Sequence, residues 1–179
     1  MIFKKTPIYP PHSLINNSCV ILKYVFLGKI ILLGVISLSF GTVTDIDGNI
    51  YGTIQMGDQL WMKQNLKTTH YRNGDAIPTG LDNSTWSSTQ EGAYAIYDDD
   101  PANAEIYGNL YNWYTTNDQR GICPEGWHVP TESEQTTLIN YVGGITEASS
   151  KLAGNADLWS SGVLVDNPDF GTSGFTAIP

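Results

Sequence analysis

From Thr42 onward, apolar and polar positions alternate over short runs that are broken by turn residues. In "TVTDIDGNIYGTIQMGDQLWM", Asp47-Gly48 and Gly57-Asp58 separate segments in which Val43, Ile50, Ile54, Leu60 and Trp61 can line one face. Such runs with glycine turns between them predict a β-hairpin or short meander. Residues 63–92 show little periodicity and carry turn chemistry at Asn73-Gly74 and Pro78, which predicts long irregular structure. "AYAIYDDDP" alternates briefly as a strand and runs into an acidic loop. In "IYGNLYNWYTT", Tyr107, Leu110, Tyr111 and Tyr114 fall at i, i+3, i+4 and i+7, the spacing of one buried helical face. A clearer helix begins at Thr131, whose hydroxyl and the Glu134 carboxylate have the three-residue spacing of a capping box. Pro130 blocks extension backwards, Leu138, Ile139 and Val142 supply the apolar stripe, and Gly143-Gly144 ends it. A further short helix is expected over residues 146–153, stopped by Gly154, and the remainder to Pro179 is loop-rich.

The first forty residues follow another pattern. Lys23 and Lys29 precede the apolar run "IILLGVISLSF", with Ser39 and Gly41 as small residues at the −3 and −1 positions of a cleavage site. This reads as a secretory leader over residues 22–41, because eleven apolar residues fall short of the roughly 20 that span a bilayer. Residues 1–21 are neither basic nor apolar enough to belong to a leader and read as an over-extended start. The domain proper is then expected over residues 42–179, with no membrane span once the leader is removed.

Composition agrees with export. The 179-residue chain is 41% hydrophobic and only 15% charged, below the roughly 25% charged usual for globular proteins. Removal of residues 1–41 leaves five basic residues against eighteen acidic ones, a formal charge of −13. That surface excludes nucleic acid and anionic lipid, which need clustered Lys or Arg. Polysaccharides, surface proteins and cations remain as partners, and the sequence sets no oligomeric state. The chain is expected to be secreted or held at the cell surface.

Candidate chemistry concentrates in "CPEGWHVPTESEQ", residues 123–135. Most of it has structural work: a turn at Glu125-Gly126, Trp127 and Val129 facing a core, Pro130 and Thr131 opening a helix, and Glu134 closing its cap. His128 between two apolar residues reads as a hydrogen-bonded core histidine. With Cys19 in the discarded segment, Cys123 is left unpaired, as a free thiol, an intermolecular bond or a cysteine missing its partner. Cys123 and His128 could form a nucleophile pair, but no third group orients a base, and Arg120 is the nearest cation to lower the thiol pKa. No catalytic residue is assigned. Asp45, Asp47 and Asn49 mimic the start of a calcium loop, yet Ile50 and Met56 stand where Gly and Glu would be required, so "DIDGN" reads as a hairpin turn. No metal ligand is assigned; Asp98, Asp99 and Asp100 leave calcium as the one cofactor to consider. Trp86, Trp113 and Trp159 sit among polar neighbours and are the candidates for stacking on a sugar face, against the alternative of core packing.

The segments "VTDIDGNIYGTIQMGDQLWMKQNLKTTHYRNGDAIP", "YGNLYNWYTT", "ICPEGWHVPTESE" and "GFTAIP" occur in an order and spacing that resembles the Fibrobacter succinogenes major paralogous domain, a family of exported bacterial domains without established activity. More distantly, Trp127, Val129, Pro130, Thr131 and Glu134 resemble the helix start of the formylglycine-generating, sulfatase-modifying domains. That resemblance implies an α+β, C-type-lectin-like domain of short helices, small antiparallel sheets and long loops. It also implies that the domain is truncated at its C-terminus, the family continuing past "GFTAIP" to a late cysteine that would partner Cys123. Gln135 stands where both families usually place tryptophan. The catalytic cysteine pair of the formylglycine-generating enzymes has no counterpart, so an oxidoreductase of that type is the weaker alternative. The expected function is a non-catalytic surface or secreted binding module, the alternatives being a structural repeat or a non-functional fragment.

Overall fold

The computed structural model describes residues 19–22 and 41–179. The apolar run expected as a leader and almost all of residues 1–21 therefore lie outside the described residues. The described chain is α+β. Four strands, β1 (Val20–Leu22), β2 (Thr42–Thr44), β3 (Ile50–Met56) and β4 (Gln59–Met62), form an antiparallel sheet in the order β1-β4-β3-β2. A second sheet is a single pair, β5 (Tyr94–Ala95) with β6 (Leu110–Tyr111). Five short helices follow or interrupt these strands: α1 (Asn83–Ser88), α2 (Ala102–Tyr107), α3 (Trp113–Thr116), α4 (Glu132–Tyr141) and α5 (Ile145–Leu152).

The expected meander forms, with Gly48 and Gly57 at positive φ in its two turns. The first turn is built on Asp45, whose carboxylate accepts from the Asp47 and Asn49 N–H groups, the Asn49 amide and the Tyr51 hydroxyl. The single apolar face expected for the meander is corrected. Tyr51, Leu60 and Met62 pack in one cluster, with Leu66, Tyr71 and Trp127, while Ile54, Met56 and Trp61 pack in another, with Leu138, Leu152 and Phe175. Successive strand residues point to opposite faces, so the sheet is covered on both sides and no single stripe exists. Ile50, at the start of β3, is left 68% exposed.

Two further expectations are corrected. The helical face through Tyr107, Leu110, Tyr111 and Tyr114 does not exist, because the segment divides into α2, β6 and α3. Gly108 interrupts it at φ 70°, and a Cβ there would lie 2.7 Å from the Asn65 side chain and 2.8 Å from the Leu66 carbonyl. The Asn109 N–H then bonds Leu66 O, turning the chain into β6. The long irregular stretch also holds a helix, α1, where the Asp82 carboxylate accepts from the Ser84 and Thr85 N–H groups.

The capping box is present as expected: Glu134 N–H donates to Thr131 Oγ1, and Thr131 N–H to Glu134 Oε2 at 2.8 Å. Leu138 and Val142 are buried and Ile139 packs beside them. Trp127 is buried and Val129 packs against the same cluster. His128 is not a core residue. Its ring lies in solvent with Nε2 2.8 Å from Glu134 Oε1, adding a third partner to the cap.

The largest correction concerns Cys123, which is bonded to Cys19 across 104 residues of sequence with a Cα–Cα distance of 6.0 Å. Cys19 and Val20 are both buried and Val20 is paired with Trp61 across β1 and β4. The unpaired thiol followed from setting residues 1–21 aside as foreign to the domain; in the structure, that segment supplies an edge strand. Closing a loop of this length removes denatured-state entropy worth about 4.7 kcal/mol on a chain-entropy estimate.

Candidate ligand-binding groove

An open groove of about 730 Å³ is lined by Trp113, Tyr114 and Asn117 from α3 and the residue that follows it, by Pro78, Gln90, Glu91 and Gly92, and by Asp118, Gln119 and Arg120. Its volume is in the range usual for small-ligand sites.

The aromatic wall is positioned by one asparagine. Asn112 caps α3: its Oδ1 accepts from Thr115 N–H at 3.0 Å, Thr115 Oγ1 at 2.9 Å and Ala93 N–H at 3.1 Å. Its Nδ2 donates to the Glu91 carbonyl at 2.8 Å, so the same side chain ties the helix to the segment that supplies Gln90, Glu91 and Gly92 to the lining. The short helix leaves Trp113 with its edge against Tyr114, centroids 5.3 Å apart and planes at 80°. Trp113 is 66% exposed, which is unusual for tryptophan and leaves an indole face free for stacking.

Behind the lining lies Tyr71, fully buried, with Gly92 laid across its hydroxyl: a Cβ on Gly92 would sit 2.0 Å from that oxygen. Only glycine allows the wall to approach this closely. The Arg120 guanidinium lies 3.8 Å above the Tyr71 ring, a cation–π contact that holds it flat. Two carboxylates fix its orientation. Asp118 takes a bidentate pair from Nε and Nη2 at 2.9 and 2.8 Å, and Asp75 accepts from Nη1 at 3.0 Å. The Arg120 hydrogen bonds hold the Asp118 carboxyl at about 2, well below the usual carboxylate range. Asp75 is lowered by Asn73 and then by Arg120, and the pair of carboxylates raises Arg120 further. The groove thus offers one apolar face, a permanent cation with two spoken-for carboxylates, and the amides of Gln90, Asn117 and Gln119.

Of the three tryptophans expected to bind a ligand, the groove contains Trp113. Trp86 is half-buried on α1 and Trp159 is half-buried with its indole N–H bonded to Gly154 O at 2.9 Å; neither lines the groove. The sequence does not single out Tyr114 and Arg120 as groove residues. The aromatic spacing predicts a buried helical face for Tyr114, and the Arg120–Tyr71 stack joins positions far apart in sequence. The signal for α3 was the Asn112 cap, visible immediately ahead of Trp113.

The described histidines make carboxylate pairs. Asp47 Oδ1 holds His70 Nδ1 at 2.6 Å, but the Thr69 hydroxyl reaches that same nitrogen at 3.0 Å. A ring engaged by both groups through one nitrogen does not relay a proton between them as a triad does. The residue beside Cys123 is Arg72, not Arg120: its Nε donates to the Cys123 carbonyl at 3.0 Å. Among the described residues, no three His, Cys, Asp or Glu side chains converge to hold a metal ion, and no helix is long and apolar enough to cross a membrane.

Residues 54–179 match the model of the Fibrobacter succinogenes major domain, so the chain belongs to that family. No curated protein and no solved structure matches it.

Proposed function

As a member of this family, the chain is proposed here to be an exported, non-catalytic binding module, and we infer that its ligand face is the groove beside Trp113. The observation that carries the reading is the exposed Trp113 indole in one groove with a fixed Arg120 and the amide side chains of Gln90, Asn117 and Gln119. That combination suits a neutral polysaccharide: sugar C–H groups stack on the indole, while hydroxyls accept from Arg120 and exchange hydrogen bonds with Gln90, Asn117 and Gln119. The strongly acidic surface disfavours polyanions. The short helices, small antiparallel sheets and long loops support a finer assignment to a C-type-lectin-like fold. Binding through these side chains needs no calcium.

The test is retention on insoluble neutral polysaccharides, with and without a chelator. Trp113→Ala is expected to weaken retention about tenfold, the scale of one lost aromatic contact. Trp86→Ala is expected to leave it unchanged. Equal retention by the Trp113 variant and the parent protein overturns the assignment.

A further inference from the structure

The segment Cys19–Leu22 lies outside the groove, and nothing in the binding reading uses it. Among the described residues, β1 is an outer strand of three residues whose one strand neighbour is β4. Beyond that ladder, Val20 exchanges hydrogen bonds with His128 at 2.9 and 3.1 Å, and Met62 N–H donates to the Cys19 carbonyl at 3.1 Å. Cys19 packs into the cluster on one face of the sheet and Val20 into the cluster on the other, so this short strand closes both cores. Strands this short do not hold themselves in place. Their residence depends on what anchors them, and here the anchor is the bond to Cys123.

The anchor is buried, but a pocket abuts Cys123. A pocket of about 230 Å³ beside Cys123 is lined by Asp45, Arg72, Ile122, Pro124 and Glu125. Arg72 stands there with its Nη1 3.6 Å from Glu125 Oε2, and its positive charge, reduced by Glu125 and Asp45, faces any incoming anion.

We propose that Cys19–Cys123 is a thiol-exchange site that latches β1, with a dithiol reductant as its co-reactant. One thiolate of the dithiol enters by the pocket and attacks Cys123 Sγ. A bond forms between those sulfurs as the Cys19–Cys123 bond breaks, and the Cys19 thiolate leaves and takes a proton. The second thiol of the reductant, giving up its proton, attacks its own sulfur in the mixed disulfide and expels Cys123 as a thiolate, which is protonated in turn. The protein has gained two electrons and two protons, and the dithiol has become a cyclic or internal disulfide. Freed of its tie, β1 leaves the sheet and uncovers the β4 edge together with Trp61 and Met62.

The full chain, purified oxidised, is treated with dithiothreitol without denaturant and followed by intact mass and amide hydrogen exchange. The expected result is a gain of two hydrogens and exchange faster by about a hundredfold in residues 19–22, 59–62 and 126–129. Protection in residues 111–117 and 132–141 is expected to persist. Cys19→Ser should give the same pattern with no reductant. The latch is overturned if the bond resists the dithiol in the folded protein, if protection of those three segments survives reduction, or if the whole domain loses protection together.

Discussion

Trp61 and Trp113 are the same residue put to opposite uses, and their surroundings differ as much as they do. Trp61 is fully buried, edge-on to Phe175 at 5.6 Å, in a region where both faces of a sheet are covered by apolar side chains. Trp113 projects from a single turn of helix, and its region is organised by Asn112, by the Arg120 carboxylate cluster and by Gly92 against Tyr71. The first region is held by burial, which is non-directional and cumulative. The second is held by a few directional bonds, which fix geometry while leaving surface exposed. A binding face needs the second kind of construction and borrows rigidity from the first.

The largest expected effect tests the apolar side. Trp61→Ala removes the most buried large side chain between β1 and the cluster around Leu138 and Phe175, and strands the Gln59 amide oxygen that accepts its indole N–H at 3.2 Å. A loss of about 3–5 kcal/mol is expected, measured as a shift in denaturant midpoint. A loss under about 1 kcal/mol would mean that burial does not dominate this region and would dissolve the contrast with the groove.

How much of this was legible from sequence follows from the range of each interaction. The cap of α4 was readable because Thr131 and Glu134 signal within one turn, and the meander because glycine turns do the same. The aromatic spacing through Tyr107 and Tyr114 misled because periodicity ignores Gly108, whose φ of 70° answers to a distant contact with Leu66. The single apolar stripe on the meander failed for a related reason: alternation reveals a buried face only when the other face is wet. Trp113 could be singled out by its polar neighbours, but Tyr71 under Arg120 and Asn112 bridging to Glu91 are tertiary facts. β1 was the furthest from reach, since its place depends on a pairing across 104 residues and on a segment that reads locally as foreign.

An intermediate effect tests the polar side. Asn112→Ala removes one acceptor serving Ala93 N–H, Thr115 N–H and the Thr115 hydroxyl, together with the donor to Glu91 O. Several groups are orphaned at once, so a loss of about 1–3 kcal/mol is expected despite the absence of any change in apolar burial. The decisive measurement is amide hydrogen exchange of the folded variant, read in α3 and in β4 of the same sample. Faster exchange over residues 113–116 with residues 59–62 unchanged sharpens the division into two regions, whereas unchanged exchange and melting temperature would show that the groove wall does not rest on this cap.

The smallest effect separates the regions by acid. Burial pushes the Glu134 carboxyl up, but the Thr131 N–H, the Thr131 hydroxyl and His128 outweigh it and hold it below its ordinary 4.5. Asp118 in the groove is held lower still, at about 2, by Arg120. Both carboxylates are depressed on folding, so each contributes stability that is fully present above its unfolded pKa and is lost as the pH falls through its folded one. The window for Glu134 therefore opens below about 4.5 and that for Asp118 below 3.8, closing only near 2. On lowering the pH from 5, amide protection in the first turn of α4 should decline before the Arg120 resonances report release from Asp118. A reversed order would place the weaker polar anchor in the groove and would make its geometry, not the helix cap of the apolar side, the first casualty of acid.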